Sequence, residues 1–368
     1  MSQSTAAAKR FLKRETTMKT TRYIVSALAA AATLALGAAQ AQAQEKVLNI
    51  YSARHYQTDE ALYNGFTQAT GIKINRVEAD DAGITARLRA EGSASPADIV
   101  LMVDAARMAA ADAQGLFQPI KSKKLDDTIP ATLRAAATPD GVTWTGFSTR
   151  ARVIIYDPAR VKAEDVATYE QLADPKLKGL LCTRTGSHPY NMSLFATVVE
   201  RLGDQKGEEW LKGLVANQAR APKGGDTDQI RAVASGECGV AIANSYYMAR
   251  ILKSDKPEDK AVAEKVRVVF PNQGTSGTHV NIAGAAVARH AKNRDSAVAF
   301  MEYLASPSAQ KYFADGNNEF PAAKGVKLDN PALHAMGGEN FKLETVPLAA
   351  VAKNLTKVQQ MLDRVGYK

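Results

Sequence analysis

The sequence predicts an α/β protein folded into two lobes, and two observations support this prediction. Short β-branched or apolar runs alternate with longer amphipathic, alanine-rich segments, which is typical of mostly parallel sheets covered by helices. The 325 residues that follow position 43 also exceed a typical single hydrophobic core, so two domains are favoured.

Each predicted element follows from the local pattern of apolar and punctuating residues. The predicted strands are Val47–Tyr51, Ile72–Val77, Ile99–Val103, Val153–Tyr156, Gly179–Thr183, Gly239–Ala243, Val266–Phe270 and Ile282–Val287. The predicted helices are residues 58–69, Ser193–Leu202, Glu208–Ala216, Asp228–Ser235, Ser296–Ala305 and a helix from Tyr246 toward Leu252. The first helix is expected to end at Gly71, because glycine readily adopts the left-handed conformation that ends helices.

Two changes of composition suggest where the chain crosses between the lobes. A polar stretch within Trp144–Val153 joins an apolar strand, and residues 272–281 are rich in Gly, Thr and Ser. Two extended crossings would act as hinges, with a ligand cleft between the lobes. We assign residues 44–147 and 276–320 to an N-terminal lobe, and residues 148–275 and 321–368 to a C-terminal lobe.

The first 43 residues are predicted to be a secretory signal peptide. Basic residues precede an apolar run over Tyr23–Ala39, and alanines at positions 39, 41 and 43 have the spacing that a signal peptidase accepts. A transmembrane anchor is the alternative, but the run is at the short end for spanning a bilayer. Met18 is a plausible start, in which case residues 1–17 are not translated. We expect a periplasmic chain that begins near Gln44.

Charge gives little support for a nucleic-acid-binding protein. The formal net charge is +9, but residues 1–43 contribute six basic residues and one acidic residue to it. The exported chain therefore has a net charge of about +4, and part of the basic excess belongs to the signal.

Two cysteines, Cys182 and Cys238, are predicted to form a disulfide. An exported chain meets an oxidising compartment, and a bridge between these positions would close a loop of 56 residues. In the chain-entropy account that bridge contributes roughly 4 kcal/mol. Two free thiols or a soft-metal pair are the alternatives, but no other cysteine is present to complete a thiolate site.

No catalytic motif is present in the sequence. A Gly-x-Ser-x-Gly elbow, a Walker loop, a His-Glu-x-x-His pair and a dinucleotide fingerprint are all absent. His188 beside Ser187 is the one weak candidate for catalysis. We expect instead that this pair, with Pro189, shapes the loop that presents Tyr190, and that the protein is not an enzyme.

Four tyrosines lie where a predicted strand ends or a helix begins. Tyr56 follows the first strand, with His55 beside it, and Tyr190 follows the strand that ends near Thr183. Tyr246 and Tyr247 follow the strand Gly239–Ala243. In open α/β sheets, ligands bind outside the carboxyl ends of the strands, so these four side chains occupy positions suited to a ligand site.

Tyrosine clusters of this kind suit a hard, highly charged cation. Ionising one phenol near pH 7 costs about 4 kcal/mol, and four together cost on the order of 16 kcal/mol. Ferric iron is the ion that best offsets this cost, whereas zinc and copper recruit more His or Cys. Ordinary amphipathic packing remains an alternative, as does an aromatic-lined cleft for a sugar, a polyamine or an amino acid.

Several segments resemble the periplasmic ferric-ion-binding proteins of iron ABC importers. The resemblance lies in residues 47–56, which end in His55-Tyr56, in Ser95–Ile99, in Arg150–Asp157 and in Asn244–Tyr247. It covers essentially the whole exported chain. The His-Tyr after the first strand and the paired tyrosines are its most specific parts.

This resemblance implies a bilobal type II binding protein that closes on an iron ion. The chain is most similar to the branch whose site uses one His and four Tyr, which implies His55, Tyr56, Tyr190, Tyr246 and Tyr247 as the ligands. The implied partner is an ABC permease in the inner membrane, and members of this class usually work as monomers. A binder of a small organic cation, such as a polyamine or a thiamine-like molecule, is the alternative function.

The resemblance also implies residues around the ligands. Arg150 and Arg250 would lie near the phenolates and balance a complex whose net charge is −1 when Fe³⁺ meets four phenolates and a neutral imidazole. Five protein ligands nearly fill the coordination sphere, so a synergistic anion such as carbonate is an optional further ligand. The chain departs from the pattern of another branch of this family at one position. Where that branch has a Glu ligand, this chain has Val103 followed by Asp104.

Overall fold

Nine strands and fourteen α-helices lie in the residues that the computed structural model describes, which are 46–54 and 59–368. The strands are β1 (Val47–Ser52), β2 (Lys73–Glu78), β3 (Ile99–Met102), β4 (Trp144–Tyr156), β5 (Leu181–Cys182), β6 (Val240–Asn244), β7 (Arg267–Val269), β8 (Val280–Val287) and β9 (Phe320–Pro321). The helices are α1 (Asp59–Thr70), α2 (Asp81–Glu91), α3 (Ala105–Ala113), α4 (Lys123–Thr128), α5 (Pro189–Leu202), α6 (Asp204–Asn217), α7 (Asp226–Ala234), α8 (Ser245–Leu252), α9 (Pro257–Lys265), α10 (Arg294–Leu304), α11 (Pro307–Asn317), α12 (Pro331–Ala335), α13 (Leu348–Val351) and α14 (Leu355–Val365).

The strand β4 belongs to two sheets and joins them. Its first part, Trp144–Ala151, pairs with β8 in a sheet of order β2-β1-β3-β8-β4, and β9 pairs with β4 at Ser148 and Thr149. Its last part, Arg152–Tyr156, pairs with β6 in a second sheet that continues to β5, while β7 pairs with β4. One continuous strand therefore passes from one sheet into the other.

The sheets are more antiparallel than the alternation of elements predicts. Three pairs among the described strands are parallel (β1–β2, β1–β3 and β5–β6), and the other five are antiparallel. All five antiparallel pairs contain β4 or β8. Strand β4 is one crossing between the sheets and β8 follows the other, and both run antiparallel to their neighbours.

The polar stretch predicted to precede a strand instead lies inside it. Ser148, Thr149 and Arg150 are buried residues of β4, whereas the sequence predicts a strand only from Val153. These polar residues interrupt the apolar run that would identify a strand. The usual alternation of apolar and polar residues is also absent, because both faces of β4 are covered. The second predicted crossing lies between β7 and β8, where residues 270–279 lead from one sheet to the other.

Two hydrophobic clusters lie on the sheets. The first is centred on β1, β3, β8 and the helices against them, and includes Ile50, Val100 and Phe300. The second contains Tyr169, Phe195, and residues of β4, β6, α6 and α14. Through the shared strands, Val47–Lys368 form one compact unit.

Local signals place most of the predicted helices. Helix α1 has Asp59 and Glu60 in its first turn, where their negative charges interact favourably with the positive end of the helix dipole. It stops at Gly71, whose φ is 73°. The helix α5 begins at Pro189, four residues before the predicted start at Ser193. Strand β5 is only two residues long, shorter than predicted.

The predicted disulfide is confirmed. Cys182 and Cys238 are bonded, with their Cα atoms 5.9 Å apart, and both are buried. The predicted signal peptide lies outside the described residues. Within the described part of the chain, none of the helices combines the length and the apolar character needed to span a membrane.

Candidate metal centre

Two neighbouring parallel strands bring tyrosines from distant positions to one edge of a sheet. Strand β5 pairs with β6 in parallel, with Leu181 opposite Val240, and the disulfide links the same two chain segments. Carboxyl ends of parallel strands meet at one edge. The chain after β5 leads into α5, which carries Tyr190, and the chain after β6 leads directly into α8, which carries Tyr246.

The start of α5 fixes the backbone of Tyr190. His188 is the N-cap residue, and its Nδ1 accepts a hydrogen bond from the backbone N–H of Tyr190 at 3.2 Å. Pro189 occupies the first turn, where a missing N–H costs nothing. Burial, followed by the Arg184 and Arg152 guanidinium groups, lowers the pKa of His188 to about 4, so the ring stays neutral and able to accept. His188 thus has the structural role predicted for it.

Three of the predicted tyrosines lie together. The Oη atoms of Tyr190 and Tyr246 are 3.3 Å apart, although 56 positions separate them in the chain. The rings of Tyr246 and Tyr247 have centroids 4.2 Å apart and planes inclined by 32°. If Tyr190 and Tyr246 were both ionised, their oxygens 3.3 Å apart would repel each other by about 5 kcal/mol at an effective dielectric constant of about 20. Both phenols can therefore ionise together only beside a strong positive charge.

The surroundings of Tyr247 keep its phenol protonated when no cation is present. Tyr246 is buried, and Tyr190 and Tyr247 are partly buried. Burial raises the pKa of Tyr247 above its usual value, and the negative charges of ionised Tyr190 and of Asp226 raise it further. A hydrogen bond with Tyr246 and the charge of Arg184 act in the opposite direction.

Guanidinium groups surround the three rings. The Cζ atom of Arg184 lies 5.1 Å from the centre of the Tyr190 ring, and those of Arg150 and Arg152 lie at 5.7 and 5.9 Å. The Cζ atom of Arg250 lies 5.0 Å from the ring centre of Tyr246 and 5.8 Å from that of Tyr247. Arg150 and Arg250 thus lie beside the tyrosines.

Sequence reasoning missed Arg152, Arg184 and Asp226. Arg152 donates to the Asp226 carboxylate, and the two side chains are almost completely buried. Arg184 donates to the same carboxylate at 3.1 Å. A signal was present, because Arg152 directly precedes the apolar run of the predicted strand Val153–Tyr156, and a charge that becomes buried there needs a partner.

The predicted ligands His55 and Tyr56 lie outside the described residues, but the residues on either side are firmly held. Arg54 donates to Asp59 through Nε at 2.7 Å and Nη2 at 3.0 Å. Arg54 Nη1 also lies 3.4 Å from Glu319, and Arg150 Nη1 lies 3.6 Å from the same carboxylate. These ion pairs connect the end of β1 to Arg150, which contacts Tyr190.

Asp104 is committed to structural hydrogen bonds. Its Oδ1 caps α3 by accepting from the N–H groups of Ala106 at 2.9 Å and Arg107 at 3.1 Å. Its Oδ2 accepts from Ser193 Oγ at 2.9 Å and Asn281 Nδ2 at 2.6 Å. Both oxygens have partners, so this carboxylate is poorly placed to serve as a metal ligand.

Among the described residues, no group of three or more His, Cys, Asp or Glu side chains is placed to hold a metal ion. The three clustered phenols are therefore the notable donor set in that part of the chain. Ionised phenols are hard anionic donors, which suit a hard trivalent cation.

Comparison with known proteins places the chain in a family. The family model described as bacterial extracellular solute-binding protein matches residues 61–336. The chain is 45% identical over 325 residues to iron uptake protein A1 of Synechocystis, a match that covers 88% of each protein.

Solved structures give the same result. The fold is similar to that of a Trichodesmium protein in complex with iron and citrate ligands, with a TM-score of 0.82, 45% identity, and coverage of 88% of this chain and 100% of that chain. It is also similar to the ferric binding protein from Campylobacter jejuni, with a TM-score of 0.79, 37% identity, and coverage of 87% and 100%. The predicted bilobal type II binding-protein fold is thereby confirmed, and the chain belongs to the bacterial extracellular solute-binding protein family.

Proposed function

We propose that this protein is the periplasmic iron-binding component of an ABC importer, and that it captures Fe³⁺ in a cleft through tyrosinate ligands. The observation that carries the proposal is the 3.3 Å separation between the Oη atoms of Tyr190 and Tyr246. Two phenols this close, with a third beside them, suit a cation that replaces their protons. The Synechocystis relative is named for iron uptake, and the Trichodesmium structure contains iron.

The proposed ligands are His55, Tyr56, Tyr190, Tyr246 and Tyr247. The last three come from helices that begin at one sheet edge. The first two follow β1, whose end is linked through ion pairs to Arg150 and so to the Tyr190 ring. This connection supports a shared site for both sets.

The charge around the tyrosines favours an anionic metal complex over a free organic cation. Four guanidinium groups lie within 6 Å of the ring centres. Fe³⁺ with four phenolates and a neutral imidazole has a net charge of −1, which these groups would stabilise. A polyamine or a thiamine-like cation would meet the same groups at an electrostatic cost. A carbonate or carboxylate oxygen is an optional sixth ligand, and citrate accompanies iron in the Trichodesmium structure.

The lobes proposed for closure consist of residues 44–147 with 276–320, and of residues 148–275 with 321–368. The passage of β4 between two sheets and the second crossing before β8 support this division. The protein would act as a monomeric carrier rather than an enzyme. It would be exported by its signal peptide and would deliver iron to a permease in the inner membrane.

The test is the visible spectrum of purified protein after addition of ferric citrate. Tyrosinate-to-iron charge transfer should colour the complex. Tyr246→Phe and Tyr247→Phe should weaken or abolish the band, and His55→Ala tests whether the imidazole is a ligand. Tyr303→Phe removes a hydroxyl elsewhere in the chain and should leave the spectrum unchanged. A colourless, iron-free wild-type protein would refute the proposal.

A further inference from the structure

A buried polar cluster lies behind the tyrosines and connects the two helices that carry them. We call it the Asp226 cluster, and it consists of Arg152, Arg184, Asn191, Asn244 and Asp226. Asp226 has 0% of its surface exposed. None of these five side chains is a proposed iron ligand, so their burial and their connections need another explanation.

The Asp226 carboxylate binds the chain segment that leads into α8. Its Oδ2 accepts a hydrogen bond from the backbone N–H of Asn244 at 2.7 Å, and Asn244 stands two positions before Tyr246. The same oxygen accepts from Arg152, and the other oxygen accepts from Arg184 at 3.1 Å. A buried carboxylate is costly unless such donors satisfy it, and here three donors do so.

Arg152 carries the connection on to α5. Its Nη2 donates to Asn191 Oδ1 at 2.7 Å, and Asn191 is next to Tyr190 in the chain. Its Nη1 donates to Asn244 Oδ1 at 3.2 Å as well as to Asp226. The planar guanidinium thus holds the first turn of α5 with one nitrogen and the start of α8 with the other. A planar fork fixes both distance and direction, which a lysine cannot do.

The Asn191 side chain completes the link. Its Nδ2 donates to the carbonyl oxygens of Arg184 at 3.0 Å and Thr185 at 3.1 Å, in the loop after β5. The loop before Tyr190, the helix start that bears it and the strand end before Tyr246 therefore share one set of hydrogen bonds.

We propose that Asp226 is a positioning residue for the iron site: through Arg152 it holds the starts of α5 and α8 together, so that the hydroxyls of Tyr190 and Tyr246 meet. This inference deepens the proposed function and rests on it. The charge of the cluster suits the role as well. Two guanidinium groups and one carboxylate leave one surplus positive charge beside Tyr190, which complements an iron–phenolate complex of net charge −1.

Asp226→Asn tests the proposal because it keeps the shape of the side chain and removes its charge. Iron release to excess chelator should become about 10- to 100-fold faster, as is typical when a residue that orients metal ligands is lost. The tyrosinate–iron charge-transfer band should also shift, since the geometry of the phenolates changes. In iron-free crystals, the separation between the Tyr190 and Tyr246 Oη atoms should exceed the 3.3 Å of the native chain.

Asp228→Asn is the matched control. Asp228 lies in the same helix but is exposed, and it accepts from the N–H of Gly225 at 2.7 Å. Its substitution should leave the iron release rate and the band unchanged. Asn191→Ala is a second variant that leaves the Asp226–Arg152 ion pair intact. It removes the hydrogen bond from Arg152 to α5, together with the two hydrogen bonds that Asn191 donates to the loop after β5. It should also speed release and lengthen the hydroxyl separation, and it decides the question if Asp226→Asn does not fold.

Two results would separate this inference from the proposed function. If the wild-type protein bound no iron, the proposed function would fail, while the iron-free crystal structures would still test the positioning role. A folded Asp226→Asn protein with the native hydroxyl separation and the native rate of iron release would overturn the inference.

Discussion

The number of phenols that ionise on binding can be counted from the way affinity depends on pH. A tyrosine with the usual pKa of about 10 is almost entirely protonated at pH 7. Burial raises the pKa of Tyr247 further, so this group holds its proton throughout the range from pH 5 to pH 8 in the iron-free protein. Each phenolate ligand therefore releases one proton when iron binds. Because the free protein binds more protons than the complex, affinity must rise with pH.

A variant that lacks one phenol ligand should release one proton fewer than the wild-type protein when it binds iron. We expect the ratio of wild-type to Tyr247→Phe affinity to grow by about tenfold for each unit of pH, since one proton is released by the first protein and not by the second. Ionising a phenol of ordinary pKa costs roughly 4 kcal/mol at pH 7 and less as the pH rises. The raised pKa of Tyr247 makes the cost larger for this residue. The assay is competition for Fe³⁺ against one chelator at pH 5, 6, 7 and 8. The speciation of iron and chelator is the same for both proteins, so it cancels from the ratio.

Tyr303→Phe provides the control, and its affinity ratio to wild type should stay near one at every pH. A Tyr247→Phe ratio that is large but independent of pH would show that Tyr247 binds iron without losing its proton, or acts only by packing. A ratio near one at all pH values would show that Tyr247 is not a ligand. Either result would refute the reasoning from phenolate charge.

Two further predictions concern stability. Replacement of both Cys182 and Cys238 by serine should lower the free energy of unfolding, measured by urea denaturation, by about 4 kcal/mol, because the bridge closes a loop across a sequence separation of 56. If the wild-type protein with its disulfide intact were no more stable than the variant, this prediction would be wrong. Burial, followed by the charge of Arg152, lowers the pKa of His279 to about 3, so the unfolded chain binds one more proton than the native chain between about pH 6.5 and pH 3. Stability should therefore fall with decreasing pH by up to about 1.4 kcal/mol per unit from this residue, and His279→Gln should flatten the dependence while His290→Gln, at an exposed position, should not.

Most of the strands could be predicted because their signals are local. The buried runs Ile99–Met102 and Val240–Asn244 are short and apolar, and both form strands close to the predicted limits. The length of β4 could not be predicted in the same way. Its residues Ser148 and Arg150 are polar, and they are stabilised in the strand by Glu319, which lies about 170 positions away in the sequence. A local pattern contains no information about such a partner.

The same distinction applies to the candidate site. The positions of Tyr190 and Tyr246 at the ends of β5 and β6 follow from the rule that ligands meet strand ends, and those tyrosines do lie together. The Asp226–Arg152 pair behind them joins residues 74 positions apart, and the sequence shows only a plausible helix start near Asp226. Ligand types are visible in a sequence when they follow secondary structure, whereas the groups that orient them depend on tertiary contacts.

The balance of charge on the two sides of the proposed site bears on the choice of ion. On the side of β1 and β9, two guanidinium groups face two carboxylates, so their formal charges cancel. On the side of α5, two guanidinium groups face one carboxylate, and one positive charge remains. Four phenolates and a neutral imidazole give a complex of charge −1 with a trivalent ion and −2 with a divalent ion. Arg250 adds a further guanidinium group beside Tyr246 and Tyr247, so the arginines favour an anionic complex of either ion. The choice between the ions then follows from the phenols, because a trivalent charge offsets the cost of ionising four of them better than a divalent charge does.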